Sequence, residues 1–205
     1  MSIMTYNGGA ILAMKGKECV AFATDMRLGS NGYRTISTDF DKVIRPSSKT
    51  LMGFSGLATD IHTLTNLIKF KTNLYHLREE REIGVKALSH MTASILYSKR
   101  FSPYFVEPIV AGLDNNNVPF IAGFDLIGCL SVCSEFAISG TADNQLFGIC
   151  ESYYRPDLEP DELMEIVSQC MLSGIDRDAF SGWGCKVYLL TPEKLVTKTL
   201  KSRMD

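Results

Sequence analysis

No stretch of this sequence approaches the ~20 consecutive apolar residues that a membrane-spanning helix requires. Nor does it open on a short basic segment followed by an apolar one, so no secretory leader is expected and the chain reads as soluble and intracellular. An excess of either charge is also missing. The 21 Lys and Arg stand against 23 Asp and Glu, a formal net charge of -2, and the basic residues are scattered rather than clustered. No nucleic-acid surface is expected from such a distribution. There is no Pro/Gly/Ser-rich linker, no repeat and no low-complexity segment, so the 205 residues read as one domain.

The six cysteines (Cys19, Cys129, Cys133, Cys150, Cys170, Cys185) form no CxxC pair and no Cys/His ligand spacing. Cys129 and Cys133 are four apart, but no His or further Cys lies near enough to complete a metal site. All six read as reduced core thiols. What the chain does have is apolar content: 45% of its residues are hydrophobic, with a mean hydropathy of +0.04. Two readings stand side by side, a well-filled core or apolar surface that other chains cover.

Periodicity divides the chain. Gly9 to Met14, Cys19 to Thr24 and Thr50 to Ser55 are strand-like runs, with turns at Lys15-Gly16-Lys17 and Gly29 to Gly32. From Ala58 to Leu77 the apolar spacing becomes helical and forms two stripes. Ile61, Leu64, Ile68 and Tyr75 make one; Leu67, Phe70, Leu74 and Leu77 make its neighbour. So wide an apolar arc predicts cover on two sides. A second helix over Val85 to Lys99 turns Val85, Leu88, Thr92 and Ile95 inward. Strands return at Glu107 to Leu113 and Val118 to Phe124 around the polar loop Asp114-Asn115-Asn116-Asn117, and again at Phe136 to Ser139. A helix over about Ala142 to Tyr153 is followed by one starting near Pro160-Asp161-Glu162, where proline and acids suit a first turn. It carries Leu163, Ile166, Val167 and Cys170 inward. Lys186 to Leu190 and Leu195 to Leu200 close the chain as strands. Paired helices alternating with grouped strands predict an α+β layered sandwich.

Six short segments carry a resemblance that spans the whole chain. They are Gly8-Gly9-Ala10, Ala23-Thr24-Asp25-Met26-Arg27, Asp41-Lys42-Val43, Ser55-Gly56-Leu57-Ala58-Thr59-Asp60, Ser139-Gly140-Thr141 and Asp178-Ala179-Phe180-Ser181-Gly182. In this order and spacing they resemble the beta-type subunits of the proteasome, members of the N-terminal-nucleophile hydrolase superfamily. Ser37-Thr38-Asp39-Phe40, Lys99-Arg100-Phe101, Phe124 to Cys129 and the tail Lys198 to Asp205 narrow the resemblance to a single beta type.

The resemblance implies a four-layer αββα sandwich over residues 1–205, with 1–8 as a short extension before the first strand. In active relatives a threonine begins that strand, and amide hydrolysis needs its hydroxyl, its free α-amine, a lysine and a backbone oxyanion donor. By resemblance, Asp25 corresponds to the aspartate beside the lysine, Lys42 to the lysine and Gly56 to the oxyanion glycine. Ser139, Asp178 and Ser181 correspond to residues that support the terminal amine. Family spacing back from Asp25 lands on Gly9, which has neither hydroxyl nor thiol. Thr5 and Ser2 lie ahead of the strand start and make poor substitutes, because nucleophile and base must meet within hydrogen-bond reach. A plainer reading of Gly8-Gly9 is two small residues opening a tightly packed strand. Asp25 and Lys42 are then expected to be a structural ion pair.

His62, His76 and His90 match no catalytic position and are expected on helix surfaces. Asp125 suits a turn. The resemblance offers it a second role, with Cys129, on the wall of the substrate channel of a neighbouring beta type-2 subunit.

The function implied is therefore architectural. The chain would be a non-catalytic beta subunit of the 20S proteasome core, between the beta type-2 and beta type-4 subunits and against the alpha ring. It would serve ubiquitin-dependent and ubiquitin-independent protein degradation in cytoplasm and nucleus. No metal or organic cofactor is implied, and neither nucleic acid nor membrane is an expected partner.

Overall fold

A computed structural model describes residues 2–204; Met1 and Asp205, the two ends of the expected domain, lie outside the described residues. In chain order the strands before the first helix are β1 (Ala10–Lys15), β2 (Val20–Asp25), β3 (Leu28–Ser30), β4 (Arg34–Ser37), β5 (Val43–Ser47) and β6 (Thr50–Gly56). Helices α1 (Ala58–Glu79) and α2 (Val85–Tyr97) follow, then β7 (Val106–Leu113), β8 (Pro119–Phe124), β9 (Leu130–Cys133) and β10 (Phe136–Gly140). Helices α3 (Asp143–Tyr153) and α4 (Pro160–Ile175) precede the last strands, β11 (Cys185–Leu190) and β12 (Leu195–Leu200).

A strand with a run of consecutive apolar residues needs cover on both faces, and β1 (Ala10 to Met14) and β2 (Val20 to Ala23) are of this kind. Their side chains alternate between two cores. Ala10, Leu12, Met14, Ala21 and Ala23 face α3 and α4, joining Leu146, Leu163, Val167, Cys170 and Met171. Ile11, Ala13, Val20 and Phe22 face the other way, onto Leu51, Ile109, Ala111 and Ile121 of a second sheet. That second sheet turns its opposite face, with Met52, Phe54, Val106 and Val110, to Ile61, Leu64 and Ile68 of α1 and to Leu88, Ile95 and Leu96 of α2. Three buried layers of side chains therefore separate four layers of backbone. The order is helices, sheet β10-β1-β2-β11-β12, sheet β5-β6-β7-β8-β9, helices, with every ladder antiparallel. This is the expected αββα sandwich.

Four features depart from the sequence reading. The turn expected over Gly29 to Gly32 falls at residues 31–33, because Gly29 and Ser30 belong to β3, which pairs with β4 in a small sheet of its own. The strands β5 and β9 were not expected either, because Pro46 interrupts one and Ser131 the other. Both are edge strands, where pairing on one side only tolerates such residues. The second stripe of α1 divides: Leu67 packs against the core, while Phe70 and Leu77 are exposed. Of the six thiols, four are buried, but Cys129 is exposed and Cys133 half-exposed, so the pair on the β8–β9 side is not core. Among the described residues no helix is long and apolar enough to cross a membrane.

Between the two sheets Gly53 of β6 faces Phe22, a ring with no exposed surface. A Cβ at Gly53 would enter that ring. Gly53→Ala should therefore cost about 1–3 kcal/mol by overpacking, lowering the thermal midpoint by several degrees, at about 2–4 °C per kcal/mol for a chain of this size. Gly148→Ala in α3 is the control: no atom lies within 4 Å of the new methyl, and the midpoint should rise slightly as helix propensity improves.

Candidate functional site

Strand β2 ends at Asp25, whose side chain has no exposed surface and whose carboxylate collects four donors. Its Oδ1 accepts from the N–H of Ala10 at 2.9 Å and from Lys42 Nζ at 2.7 Å. Its Oδ2 accepts from the N–H groups of Arg27 at 3.2 Å and Gly182 at 3.3 Å. Lys42 gives a second hydrogen bond to the Asp25 carbonyl at 3.2 Å, and its ammonium lies 5.6 Å from the Phe40 ring centroid. An ion pair this deep needs its remaining donors and acceptors satisfied, and here they are. Arg27, also buried, spends its guanidinium on the carbonyls of Gly32 and Phe180 and on Thr35.

Gly9 sits directly beside this pair. Its φ is +134°, a region that L side chains rarely adopt. A Cβ built there would lie 2.7 Å from Lys42 Cε and 3.3 Å from Asp25 Oδ1. The lysine stem thus occupies the space a side chain at position 9 would need. The nitrogen of Gly9 is an ordinary peptide amide joined to Gly8, and it donates to Thr141 Oγ1 at 3.4 Å.

That hydroxyl corrects one assignment. Thr141, not Ser139, is the residue turned toward the Gly9 nitrogen. Thr141 Oγ1 donates to Asp178 Oδ2 at 2.6 Å, and Ser181 Oγ donates to the same oxygen at 2.6 Å. Ser139 is bound instead across the sandwich, to Ser55 Oγ at 2.6 Å and Glu107 Oε2 at 2.9 Å. Gly140 lies between the two hydroxyls at φ +120°, and its missing Cβ lets it pass against the Gly9 carbonyl. The turn there breaks strand alternation, so the two hydroxyls go to different places. The resemblance named Ser139 for this role and gave Thr141 none. Gly56 ends β6 at φ +113°, held against the Phe105 carbonyl, with Leu57 N–H donating to that carbonyl at 2.8 Å.

Asn7 is a site residue that the sequence did not announce. It is 8% exposed, and its side chain joins Gly29 of β3 to Ala58 at the start of α1. Beside it opens a cavity of about 580 Å³ lined by Phe40, Lys42, Ile44, Phe54, Ala58 and Ile61. Cys185, paired with Asp25 across β2 and β11, is the thiol nearest the carboxylate by register. Burial, with the Asp25 charge adding to it, pushes that thiol up to about 12, far from a reactive thiolate.

Asp125 and Cys129 belong to the β8–β9 turn, with no bond to the cluster around Gly9. Asp125 Oδ1 accepts from the N–H groups of Ile127 at 3.0 Å and Cys129 at 2.7 Å, which is the geometry of a turn residue. His62, His76 and His90 are exposed on α1 and α2.

Removing either partner of the buried pair should be costly, and unequally so. Asp25→Ala leaves three amides and an ammonium without their acceptor, and about 3–5 kcal/mol or more should be lost. Lys42→Met leaves Asp25 its three amide donors and should cost less. Chemical-denaturation midpoints of the two variants check the ranking. Gly9→Thr should also destabilise, because both its backbone conformation and the Lys42 stem oppose the new side chain.

Comparison with known proteins agrees with this geometry. Residues 5–190 match the family model described as proteasome subunit. The chain is 51% identical over 205 residues to the probable proteasome subunit beta type-3 of Schizosaccharomyces pombe, covering 100% of both chains. It is 50% identical over 206 residues to proteasome subunit beta type-3 of Drosophila melanogaster, again covering 100% of both. To the Saccharomyces cerevisiae protein of the same name it is 49% identical over 200 residues, 97% of each chain. With a scaffold of four layers, a buried Asp25–Lys42 pair at its first strand and likeness along its whole length, this chain belongs to the proteasome subunit family, on its beta type-3 branch.

Proposed function

We propose that the chain is an architectural, non-catalytic beta subunit of the 20S proteasome core, part of the beta ring around the proteolytic chamber. The observation that carries this reading is Gly9: no side chain stands there, its nitrogen is acylated by Gly8, and the Lys42 stem fills the adjoining space. The lysine, the carboxylates and the supporting hydroxyls persist as an anchor. Hydrolysis needs a nucleophile and a base in contact, and this cluster supplies neither at position 9.

Membership of a ring fits the outer surface. Phe70 (63% exposed), Leu77 (77%) and Phe101 (97%) lie uncovered on and beyond α1 and α2, and large apolar side chains of this kind mark contact surfaces. We assign the neighbours as the beta type-2 and beta type-4 subunits and the alpha ring, in cytoplasm and nucleus. Native mass measurement of the endogenous protein with identification of its companions tests this directly. Recovery in a large hetero-oligomer of proteasome subunits is expected, and a monomer or small homo-oligomer would refute it. Phe70→Ala should reduce incorporation into that assembly, since covering such a ring is worth on the order of 1.5–3 kcal/mol, while an exposed ring contributes little to the fold of the isolated chain.

Asp125 and Cys129 are proposed to wall the substrate channel of the beta type-2 neighbour. The turn uses Oδ1 of Asp125, so an asparagine carbonyl can keep both amide hydrogen bonds while the charge is lost. In a wet, partly enclosed channel one carboxylate contributes roughly 0.5–2 kcal/mol of preference for basic side chains. Asp125→Asn should lower cleavage after basic residues by a factor of roughly two to thirty and leave cleavage after apolar and acidic residues unchanged. Three fluorogenic substrates on one purified variant particle measure this. An equal fall in all three would make Asp125 a residue of folding or assembly only.

A further inference from the structure

Residues 2–8 do not trail away from Gly9; they run back along the β3–β4 hairpin and are fixed there. Ile3–Thr5 form one 3-10 turn, started by Ser2, whose Oγ accepts from Met4 N–H at 3.3 Å. The Tyr6 carbonyl accepts from Gly32 N–H at 3.0 Å, and Tyr6 Oη meets Ser30 Oγ at 3.3 Å. The Asn7 carbonyl accepts from Gly29 N–H at 2.8 Å, and Asn7 Nδ2 donates back to the Gly29 carbonyl at 2.7 Å. Gly8, at φ +68°, passes so close to the Phe180 carbonyl that a Cβ has no room.

The other end of the Asn7 side chain matters as much. Helix α1 begins without a side-chain cap from its own preceding residue, Leu57. Its first amide, Ala58 N–H, donates instead to Asn7 Oδ1 at 2.9 Å. First-turn amides have no partner inside a helix and are costly to leave unmet when water is excluded. One primary amide therefore serves a donor on α1 and an acceptor on β3, which only a side chain carrying both functions can do.

We infer that residues 2–8 are a strap built into the fold, with Asn7 as the fixing point that ties the β3–β4 hairpin to the start of α1. The β3–β4 hairpin and the start of α1 have no other side-chain hydrogen bond in common among the described residues. Their spacing beside the Asp25–Lys42 pair thus depends on a segment that precedes the first strand. The strap would serve an isolated chain and an assembled ring alike, so it stands apart from the architectural role proposed above.

Hydrogen–deuterium exchange on the assembled particle, comparing Asn7→Leu with Asn7→Asp, tests the inference. In Asn7→Leu, peptides reporting the Ala58 amide should exchange roughly five- to thirtyfold faster, the consequence of one lost buried hydrogen bond. Peptides within β1 and β6 should be unchanged. Asn7→Asp keeps an acceptor for Ala58 but loses the donor to Gly29. In that variant Ala58 should stay protected while residues 28–37 loosen, and this arm decides the matter should Asn7→Leu fail to assemble. Unchanged exchange at Ala58 in Asn7→Leu, uniform acceleration along the chain, or loss of Ala58 protection in Asn7→Asp would each overturn the strap.

Discussion

One carboxylate holds together the architecture at the start of β1. Asp25 receives amides from the start of β1, from Arg27 on the way into the β3–β4 hairpin and from Gly182 before β11, plus the ammonium of Lys42 before β5. Four separate parts of the chain thereby converge on one side chain with no exposed surface. A buried anion with a single partner would be a liability; with four donors it becomes a fixed node. The pair is then explained without any reaction, because each partner is expensive to lose while the other remains.

The same node crowds position 9. Lys42 must reach Asp25, and its stem crosses the space beside Gly9. Gly9 in turn must pass Gly140, which also has positive φ and meets the Gly9 carbonyl. Gly140 pairs with Ala10 where β1 begins and β10 ends, and Gly9 lies one residue before that pair. Position 9 is thus more than a site with its hydroxyl deleted. Its backbone and its surroundings have taken a shape in which a threonine is unwelcome.

Much of the sandwich was legible in the sequence because periodicity reports burial. The inward residues of α2 (Val85, Leu88, Thr92, Ile95) are all buried, as are Leu163, Val167 and Cys170 of α4. Edge strands were harder, since β4 and β9 alternate weakly and are half exposed. The site was legible in part. The resemblance singled out Gly9, Asp25, Lys42, Asp178 and Ser181, but it named Ser139 where Thr141 faces the Gly9 nitrogen, two hydroxyls separated by one glycine at positive φ. Asn7 was invisible. Its partners, Gly29 and Ala58, are 22 and 51 residues away, and both meet it through backbone atoms that carry no sequence signal.

The central claim is that this cluster is an anchor without a nucleophile. Intact-mass analysis of every subunit after treating the purified particle with a threonine-directed electrophile tests it most directly. The account predicts adducts on other subunits, this chain at its unmodified mass, and its Gly8-Gly9 peptide recovered uncut. A stoichiometric adduct on this chain, or a mature form beginning at Gly9, would contradict it.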